Sequence, residues 1–307
     1  MEIRTLGRSD LKVSAVGLGA WSWGSTRYWE YGRSYRKEDI AQAIEKAVEM
    51  GIDLLDTAEV YGRGASERLI GELVPKDDFY IASKYAPLHL LPSSILAHAE
   101  RSRKRLQVEA IDLYQVHFHN PLLSLRATMR NLEKLVREGK IRHIGVSNFN
   151  VQTLEKARSY LSRCDIVSNQ VHFNLANRAP ERNGMLDYCR KERLSIIAWS
   201  PLQQGVLTGK YAPGKRPGGW RARTRYFRNS HLKAVQPVLQ VLDECSKAHG
   251  RTTAQGALAW LLRHPEVVII PGANRAEQVE MNAGAVGWSF TQAELDRLDQ
   301  VSAKLER

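Results

Sequence analysis

Cysteine is scarce in this sequence, and long apolar runs are missing. The three cysteines, Cys164, Cys189 and Cys245, show no CxxC or CxxxC spacing. This argues against a disulfide framework or a cysteine-built metal site, and it makes a reducing cytosol the expected compartment. No stretch of about 18 apolar residues occurs, and the N-terminal segment MEIRTLGRSDLKVS lacks the pattern of a signal peptide. We therefore expect a cytoplasmic protein that neither spans a membrane nor holds a metal.

Nucleic-acid motifs are also missing, although the formal net charge is +12. A basic balance is compatible with nucleic acid, anionic lipid or a phosphorylated small ligand. Neither zinc-finger spacing nor an aromatic RNP-like run accompanies the charge, so a solvated arginine-rich surface is the simpler interpretation and no nucleic-acid partner is expected. No linker or composition shift divides the chain, which predicts a single domain over residues 1–307.

Short apolar strands alternate with amphipathic helices along most of the chain. A hairpin is predicted from 2–6 and 11–14, turned at 7–10. The predicted strands are 15–19, 53–56, 79–83, 112–116, 143–146, 166–170, 194–198 and 267–270. The predicted helices are 37–50, 65–73, 93–107, 124–138, 150–160, 181–192, 234–249, 276–283 and 291–304. Residues 201–233 are the one irregular stretch.

Such alternation indicates parallel strands with right-handed crossovers. Eight units in this length predict an α/β fold, a (β/α)8 TIM barrel with an N-terminal β-hairpin and extra C-terminal helices. An open doubly wound sheet is the alternative. Against it, no GxGxxG follows the first strand, because Gly17 and Gly19 are followed by Ala20 and Trp21.

Three successive predicted strands each end in a polar residue: Asp56, Lys84 and His117. Tyr61 follows on the loop after the first of them. Because carboxyl ends of parallel strands share one face, these side chains should meet there. A lysine ammonium would favour the phenolate and lower the pKa of Tyr61. The group suits protonation of an oxygen that gains negative charge, such as a carbonyl oxygen accepting hydride at its carbon.

Each of these residues also has an ordinary structural interpretation. Asp56 could cap a loop, Tyr61 could be a packed surface tyrosine, and His117 could be a core histidine. A metal site built from His117, His119 and Asp56 has weak spacing. A serine-hydrolase interpretation lacks a GxSxG motif.

Several ordered segments resemble the aldo-keto reductase superfamily. They are GIDLLDTAEVYG (51–62), SK (83–84), IDLYQVH (111–117), GKIRHIGVSNF (139–149), IAWSPL (197–202) and VIIPGA (268–273). The resemblance implies a (β/α)8 barrel that binds extended NADP(H), with NAD(H) less expected. It implies a catalytic tetrad of Asp56, Tyr61, Lys84 and His117, with Tyr61 as general acid in carbonyl reduction.

The same resemblance implies a set of cofactor-binding residues. Ser147, Asn148 and Gln170 would hold the nicotinamide carboxamide, although Ser147 and Asn148 are also good helix N-caps. Trp199 stands where the family usually has a stacking tyrosine, and an indole can stack as well. The full expected set is Gly19, Ala20, Trp21, Asp56, Ser147, Asn148, Gln170, Trp199, Ser200, Pro201, Leu202, Gln204, Gly205, Leu207, Gly209, Lys210, Gly272, Asn274, Arg275, Gln278 and Asn282.

Two segments bear on the cofactor phosphates. Residues 200–211 resemble the part of the family that wraps the pyrophosphate, and 214–233 carry seven basic residues and no acidic one. That basic stretch is interpreted either as a belt over the cofactor or as a disordered loop. Asn274 occupies the position where related sequences carry arginine, and Arg275 is displaced by one. An arginine near the adenosine ribose would favour a 2′-phosphate and hence NADPH.

The expected partner is a small-molecule carbonyl substrate, and no oligomeric state is indicated. The predicted substrate pocket consists of Trp21, Trp23, Tyr28, Trp29, Tyr61, Tyr85, His117 and Phe118. The sequence thus predicts NADPH-dependent reduction of aldehydes or ketones to alcohols. One alternative is a nicotinamide-binding regulatory module resembling potassium-channel β-subunits, against which the histidine at 117 argues. The other is an NAD-dependent sugar or polyol dehydrogenase.

Overall fold

A computed structural model describes residues 1–88 and 91–306, and its centre is a parallel sheet of eight strands. The strands of the chain are β1 (Ile3–Thr5), β2 (Lys12–Ser14), β3 (Leu18–Gly19), β4 (Leu54–Asp56), β5 (Tyr80–Tyr85), β6 (Ile111–Val116), β7 (Ile141–Ser147), β8 (Ile166–His172), β9 (Ser195–Trp199) and β10 (Val267–Ile269). Strands β3 to β10 lie side by side in chain order. Parallel bridges join Val16 to Ile269 and Gly19 to Gly272, so the first and last strands meet. The predicted (β/α)8 barrel is confirmed.

The interior of the barrel is filled by apolar residues from most of its strands. The buried cluster contains Leu54, Ala82, Leu113, Val167, Ile197, Val268 and Ile270. Side chains of a strand alternate between its two faces, so each of these strands also sends apolar residues outward against the helices. The strands are therefore almost continuously apolar, as expected for a parallel sheet buried on both faces.

The N-terminal hairpin closes the amino end of the barrel. Strands β1 and β2 pair antiparallel, and Leu6, Leu11 and Val13 pack into the interior cluster. The Arg4 guanidinium donates hydrogen bonds to the backbone oxygens of His264 and Leu262, both at 2.6 Å, and of Val267. A side chain on Gly7 would meet the carbonyl oxygen of Val167 at 2.3 Å, so this turn requires glycine. The hairpin predicted from the sequence is thus present.

The helices surround the sheet. They are α1 (Lys37–Glu49), α2 (Ala65–Leu73), α3 (Ser94–Leu106), α4 (Leu125–Arg137), α5 (Val151–Arg158), α6 (Ala179–Arg182), α7 (Met185–Glu192), α8 (Asn229–Ala248), α9 (Thr253–Leu262), α10 (Ala276–Ala283) and α11 (Gln292–Ser302). Within 1–88 and 91–306, no helix is long and apolar enough to cross a membrane.

Three helical predictions need correction. The predicted helix 181–192 is two helices, broken where Gly184 takes a left-handed conformation with φ +76°. Helix α8 begins at Asn229, five residues before the predicted start at 234. Helix α9 was not predicted, because its sequence TAQGALAWLL is apolar on nearly every face and shows no amphipathic period. Its buried position between α8 and β10 explains that composition.

The irregular stretch predicted at 201–233 contains short helical turns. Three 3₁₀ helices cover Gln203–Thr208, Trp220–Arg223 and Arg225–Phe227, and α8 takes over at Asn229. Phe227 is fully buried, which anchors the segment against the protein. Residues 220–228 therefore have a defined backbone. Of the two interpretations given for the basic stretch, this favours the belt over the disordered loop.

Candidate active site

The four predicted catalytic residues lie together at the carboxyl end of the barrel. Asp56 ends β4, Lys84 lies near the end of β5, and His117 directly follows β6. Tyr61 begins the 3₁₀ turn Tyr61–Gly64 that follows β4. The register of the parallel strands brings their ends to one level, and this is why residues far apart in sequence meet.

A buried ion pair forms the base of the group. The ammonium of Lys84 donates to Asp56 Oδ1 at 2.5 Å and to the Thr57 carbonyl oxygen at 2.8 Å. It also lies 3.4 Å from the hydroxyl oxygen of Tyr61. Lys84 is fully buried and Asp56 is 3% exposed, so neither charge is shared with solvent. The ammonium therefore links the carboxylate to the phenol.

Two buried amides complete the environment of Asp56. The side-chain nitrogen of Gln170 donates to Asp56 Oδ2 at 2.7 Å, and that of Gln115 donates to the same oxygen at 3.1 Å. Gln170 was expected to bind the cofactor, whereas Gln115 was missed. Gln115 could have been noticed as a polar residue at an inward-facing position of the mostly apolar strand β6. The two amides thus satisfy the carboxylate oxygen that Lys84 does not contact.

The pKa values in the group follow from burial and from the ion pair. Burial raises the pKa of Tyr61, and the nearby Lys84 ammonium only partly opposes this. The pKa of Tyr61 is thus raised and not lowered as the sequence led us to expect. Burial lowers the pKa of Lys84, but the Asp56 carboxylate and Tyr61 outweigh it, so this pKa lies above its ordinary value. Tyr61 is consequently a protonated phenol beside a charged ammonium.

His117 faces Tyr61 across the site, with ring centroids 5.8 Å apart in an edge-on arrangement. Burial, with a smaller contribution from the Lys84 ammonium, lowers the pKa of His117 to about 3. Its Nδ1 atom has no hydrogen-bond partner among the described residues. The imidazole is therefore neutral near pH 7 and carries one N–H that can donate to a ligand.

Next to the tetrad, a polar platform is built by Asn148 and Trp199. The Trp199 indole N–H donates to Asn148 Oδ1 at 3.1 Å, and Asn148 Nδ2 donates to the His117 carbonyl oxygen at 3.2 Å. Asn148 takes φ +59° to reach this position. His172, which the sequence interpretation missed, stacks on Trp199 with centroids 4.3 Å apart. The platform is thus held by stacking and by hydrogen bonds.

Asp56, Tyr61, His117, Asn148 and Trp199 line a cavity of about 1210 Å³, whereas Lys84 and Gln115 lie buried behind them. The predicted cofactor residues that line it are Gly19, Trp21, Asp56, Ser147, Asn148, Gln170, Trp199, Ser200, Pro201, Leu202, Gln204, Gly205, Lys210, Gly272, Asn274, Arg275 and Gln278. Four others do not line it: Ala20, Leu207, Gly209 and Asn282. The first two are fully buried apolar residues, and Asn282 is 2% exposed, one helical turn beyond Gln278.

At the other end of the cavity, the segment before α10 is tied to the loop after β3. Ser22 and Asn274 share a side-chain hydrogen bond of 2.5 Å, and the Arg275 guanidinium donates to the Ser34 carbonyl oxygen. The Asn274 backbone N–H donates to Gln278 Oε1 at 2.7 Å. Among the described residues, no carboxylate lies within ion-pair distance of Arg275. Its charge is therefore available to an anionic ligand.

The predicted substrate residues divide into two groups. Trp21, Tyr28, Trp29, Tyr61 and His117 line the cavity. Trp23 and Tyr85 are fully buried, with the Trp23 indole N–H bound to the Ala273 carbonyl oxygen and the Tyr85 hydroxyl bonded to Ser94. Phe118 lies beside His117 but does not line the cavity. Those three residues therefore do not contribute to the pocket wall.

Several cavity residues lie outside the predicted cofactor and substrate sets. They are Ser22, Glu30, Ser34, Tyr35, Thr208, Gly218, Arg221, Asp243, Lys247, Arg251, Thr252, Thr253, Ala254, Ile270, Pro271 and Met281. Of these, Thr208, Gly218 and Arg221 fall within the two segments predicted to lie near the cofactor phosphates. Residues 252–254 form the amino end of the missed helix α9, where Thr252 and Gln255 make a capping box. That capping pattern was the available signal.

The cavity has the features that an extended nicotinamide dinucleotide requires. Its size exceeds that of a small carbonyl compound, and the Trp199 ring lines one end while the Arg275 cation lines the other. The Arg275 guanidinium has no carboxylate partner in the described structure, so the cavity offers a cation to the phosphates of such a ligand. The residues present therefore fit the group. In the described part of the chain, no cluster of histidine, cysteine and acidic residues could hold a metal.

Comparisons with known proteins agree with this geometry. The family model described as "Aldo/keto reductase family" matches residues 15–303. An uncharacterized oxidoreductase of Mycobacterium tuberculosis is 39% identical over 290 residues, covering 94% of this chain and 88% of that protein. The chloroplastic pyridoxal reductase of Arabidopsis thaliana is 34% identical, with 94% and 83% coverage. The aldo-keto reductase of Klebsiella pneumoniae, solved in complex with NADPH, is 28% identical, with a TM-score of 0.79 and coverage of 100% and 98%.

Proposed function

The chain belongs to the aldo/keto reductase family, whose members are oxidoreductases that act on carbonyl compounds, and we propose that it reduces aldehydes or ketones to alcohols with NADPH as the reductant. One observation carries the proposal: the hydrogen-bonded series Asp56, Lys84 and Tyr61, opposite His117, beside a cavity of about 1210 Å³.

Tyr61 is the proposed proton donor. When bound, the reduced nicotinamide supplies hydride to the carbonyl carbon. The Tyr61 hydroxyl gives its proton to the carbonyl oxygen as that oxygen gains negative charge. Lys84 stabilises the phenolate that Tyr61 becomes, and Asp56 keeps Lys84 charged in its buried position. His117, neutral near pH 7, donates its N–H to the same carbonyl oxygen and orients the substrate.

The platform residues are proposed to hold the nicotinamide. Trp199 would stack on the ring, while Ser147, Asn148 and Gln170 would meet the carboxamide. Gln170 Oε1 is a suitable acceptor, because only its nitrogen is committed to Asp56 and Gln115. Asn148 is held by Trp199 and by the His117 carbonyl oxygen, so its amide is already oriented before a ligand arrives.

NADPH rather than NADH is proposed because of Arg275. An exposed guanidinium without a carboxylate partner in the described structure suits a 2′-phosphate, which NADH lacks. The NADPH complex of the Klebsiella relative supports the same choice. The three free cysteines support the reducing cytosol as the place of action, as part of the same proposal.

Aromatic aldehydes are the proposed substrate class. Trp21, Tyr28 and Trp29 pack on one another with ring centroids 5.2 to 5.3 Å apart, and Trp21 lies 6.4 Å from Tyr61. A wall of this kind offers flat apolar surface to a flat ring. The name of the Arabidopsis relative, a pyridoxal reductase, supports a ring-bearing aldehyde.

The test is a comparison of Tyr61→Phe with the native chain. Reduction of benzaldehyde is followed through the loss of NADPH absorbance, and NADPH binding is followed by fluorescence. We expect turnover to fall roughly 100- to 10,000-fold while NADPH binding stays within about twofold, because only the proton donor is lost. Tyr31→Phe, a change in the neighbouring loop outside the cavity, is the matched control and should retain turnover.

Near-native reduction by the Tyr61→Phe protein would remove the proposed role of Tyr61. If the native chain bound NADPH tightly but reduced no carbonyl compound, the regulatory-module interpretation would replace the enzyme interpretation.

A further inference from the structure

Arg221 is the basic residue at the aromatic end of the cavity, and the proposed reaction gives it no role. It belongs to the 3₁₀ turn Trp220–Arg223 and lines the same cavity as Tyr61, Tyr28 and Trp29. Its guanidinium carbon lies 5.0 Å from the centre of the Trp29 ring. Among the described residues, no carboxylate lies within ion-pair distance of it, whereas buried or half-buried cations in proteins are usually paired.

The position of Arg221 is fixed by aromatic side chains. The guanidinium donates to the Tyr211 hydroxyl at 2.7 Å and lies 5.8 Å from the ring centres of Tyr211 and Phe227. Tyr211 and Phe227 are both buried. A cation held over aromatic faces keeps its charge and most of its N–H groups for another ligand. The site is therefore organised before anything binds.

A second donor lies beside it. The indole N–H of Trp29 has no acceptor among the described residues. An unsatisfied N–H next to an unpaired guanidinium is a pair of donors without acceptors, and a carboxylate or phosphate is the ligand that supplies several acceptor oxygens at once. Glu30 also lines this part of the cavity, but its carboxylate lies against the turn at Gly218 and Gly219 and not within ion-pair distance of Arg221.

The aromatic wall connects this cation to the proposed proton donor. Tyr61 lies 6.4 Å from Trp21, Trp21 lies 5.2 Å from Trp29, and Trp29 lies under Arg221. A substrate whose carbonyl oxygen meets Tyr61 and whose ring lies on this wall would extend along it toward Trp29, the ring that lies under Arg221. We propose that Arg221 and Trp29 form a subsite for an anionic group on the substrate, so that the preferred substrates are aromatic aldehydes bearing a carboxylate or phosphate. This inference rests on the proposed carbonyl reduction.

The test uses two aldehydes of equal shape, para-formylbenzoate and para-formylbenzamide, which differ in one negative charge. We expect kcat/KM for the carboxylate to exceed that for the amide by roughly tenfold, as for one charge-assisted hydrogen-bonded contact. In Arg221→Met the ratio of the two kcat/KM values should fall to near one. In Arg221→Lys it should lie between the native ratio and that of Arg221→Met. Arg223→Met, which removes an exposed arginine stacked on Trp220 in the same turn, is the control and should keep the native ratio.

Two results would overturn the proposal. One is a native ratio near one with ready turnover of both aldehydes. The other is an equal loss for both aldehydes in Arg221→Met together with a raised KM for NADPH, which would assign Arg221 to the cofactor phosphates.

A binding measurement separates this inference from the proposed function. The alcohol product para-(hydroxymethyl)benzoate is titrated against the NADPH-loaded native and Arg221→Met proteins, and tryptophan fluorescence is recorded. Roughly tenfold tighter binding to the native protein supports the anionic subsite even where no aldehyde is turned over. Equal affinity for the two proteins rejects the subsite even where aldehydes are reduced.

Discussion

The hairpin at the amino end of the barrel and the loops at its carboxyl end each cover one opening of the same sheet. The hairpin fills its opening with Leu6, Leu11 and Val13, none more than 1% exposed. Arg4, its buried cation, is satisfied by backbone carbonyl oxygens and by Glu2. At this end the hairpin closes the apolar interior, and its buried cation has partners.

The loops at the carboxyl end leave a cavity and retain strain. Among described residues other than glycine, eight have positive φ, and six of them lie in these loops: Glu30, Arg63, Asn148, Ser200, Gln203 and Gln204. Two polar nitrogens of the site, Trp29 Nε1 and His117 Nδ1, lack partners in the described structure. Strain and unsatisfied groups persist only where the rest of the fold holds them. The amino end therefore contributes buried apolar packing, whereas the loops at the carboxyl end hold the candidate active site.

Lys84→Met tests the carboxyl end most severely. It removes the ammonium that contacts both Asp56 and Tyr61. We expect turnover to fall roughly 100- to 10,000-fold and the free energy of unfolding to fall by about 3–5 kcal/mol, because Asp56 is left as a buried unpaired charge. Steady-state kinetics and urea unfolding measure the two effects.

The double variant Asp56→Asn/Lys84→Met separates the effect on turnover from the effect on stability. It removes both charges, so it should regain most of the stability and none of the turnover. Native-like turnover in either variant would contradict the role given to Lys84.

Leu11→Ala makes the opposite change at the amino end. Deleting this buried side chain should lower the free energy of unfolding by about 2–5 kcal/mol, while kcat and KM stay native at temperatures where the protein is folded. Ile3→Ala, in the same hairpin but 52% exposed, is the control, with an expected change within about 0.5 kcal/mol. A changed kcat in folded Leu11→Ala protein would show that the two ends are coupled.

Arg275→Gln tests the far end of the cavity. We expect KM for NADPH to rise roughly tenfold, through loss of a charge-assisted contact with the 2′-phosphate. KM for NADH should change little, since NADH has no such phosphate. Arg33→Gln, at an exposed position in the loop after β3, serves as the control. An equal rise for both cofactors would place Arg275 elsewhere than at the 2′-phosphate.

The smallest expected effect is that of pH. Burial raises the pKa of Tyr61 above its ordinary value of 10.0, so this residue stays protonated through the neutral pH range. Burial lowers the pKa of His117 to about 3, so this residue stays neutral above that pH. We expect kcat/KM for reduction to be flat from about pH 5 to pH 9 and to fall as Tyr61 ionises. A step near pH 6.5 that disappears in His117→Gln would contradict the pKa given for His117.

Much of the barrel could be predicted because its strands are short and apolar and its helices are amphipathic. Hydrophobic periodicity did not predict α9, because this helix is buried on nearly every face and has no polar face. It also failed at residues 181–192, where the left-handed Gly184 breaks an otherwise helical pattern. In both places the surroundings in the fold decide the local structure.

The sequence by itself determined the order of the strands and the residue types at their ends, because hydrophobic period and motif spacing are local properties of the chain. Tertiary structure alone decided which of those side chains meet. Trp23 and Tyr85 are core residues: Tyr85 alternates with Lys84 on β5 and so lies on the other face of the sheet, and the Trp23 indole N–H donates to the Ala273 carbonyl oxygen. Gln115 and His172 joined the site, because strand register brings together residues whose separation in sequence carries no sign of contact.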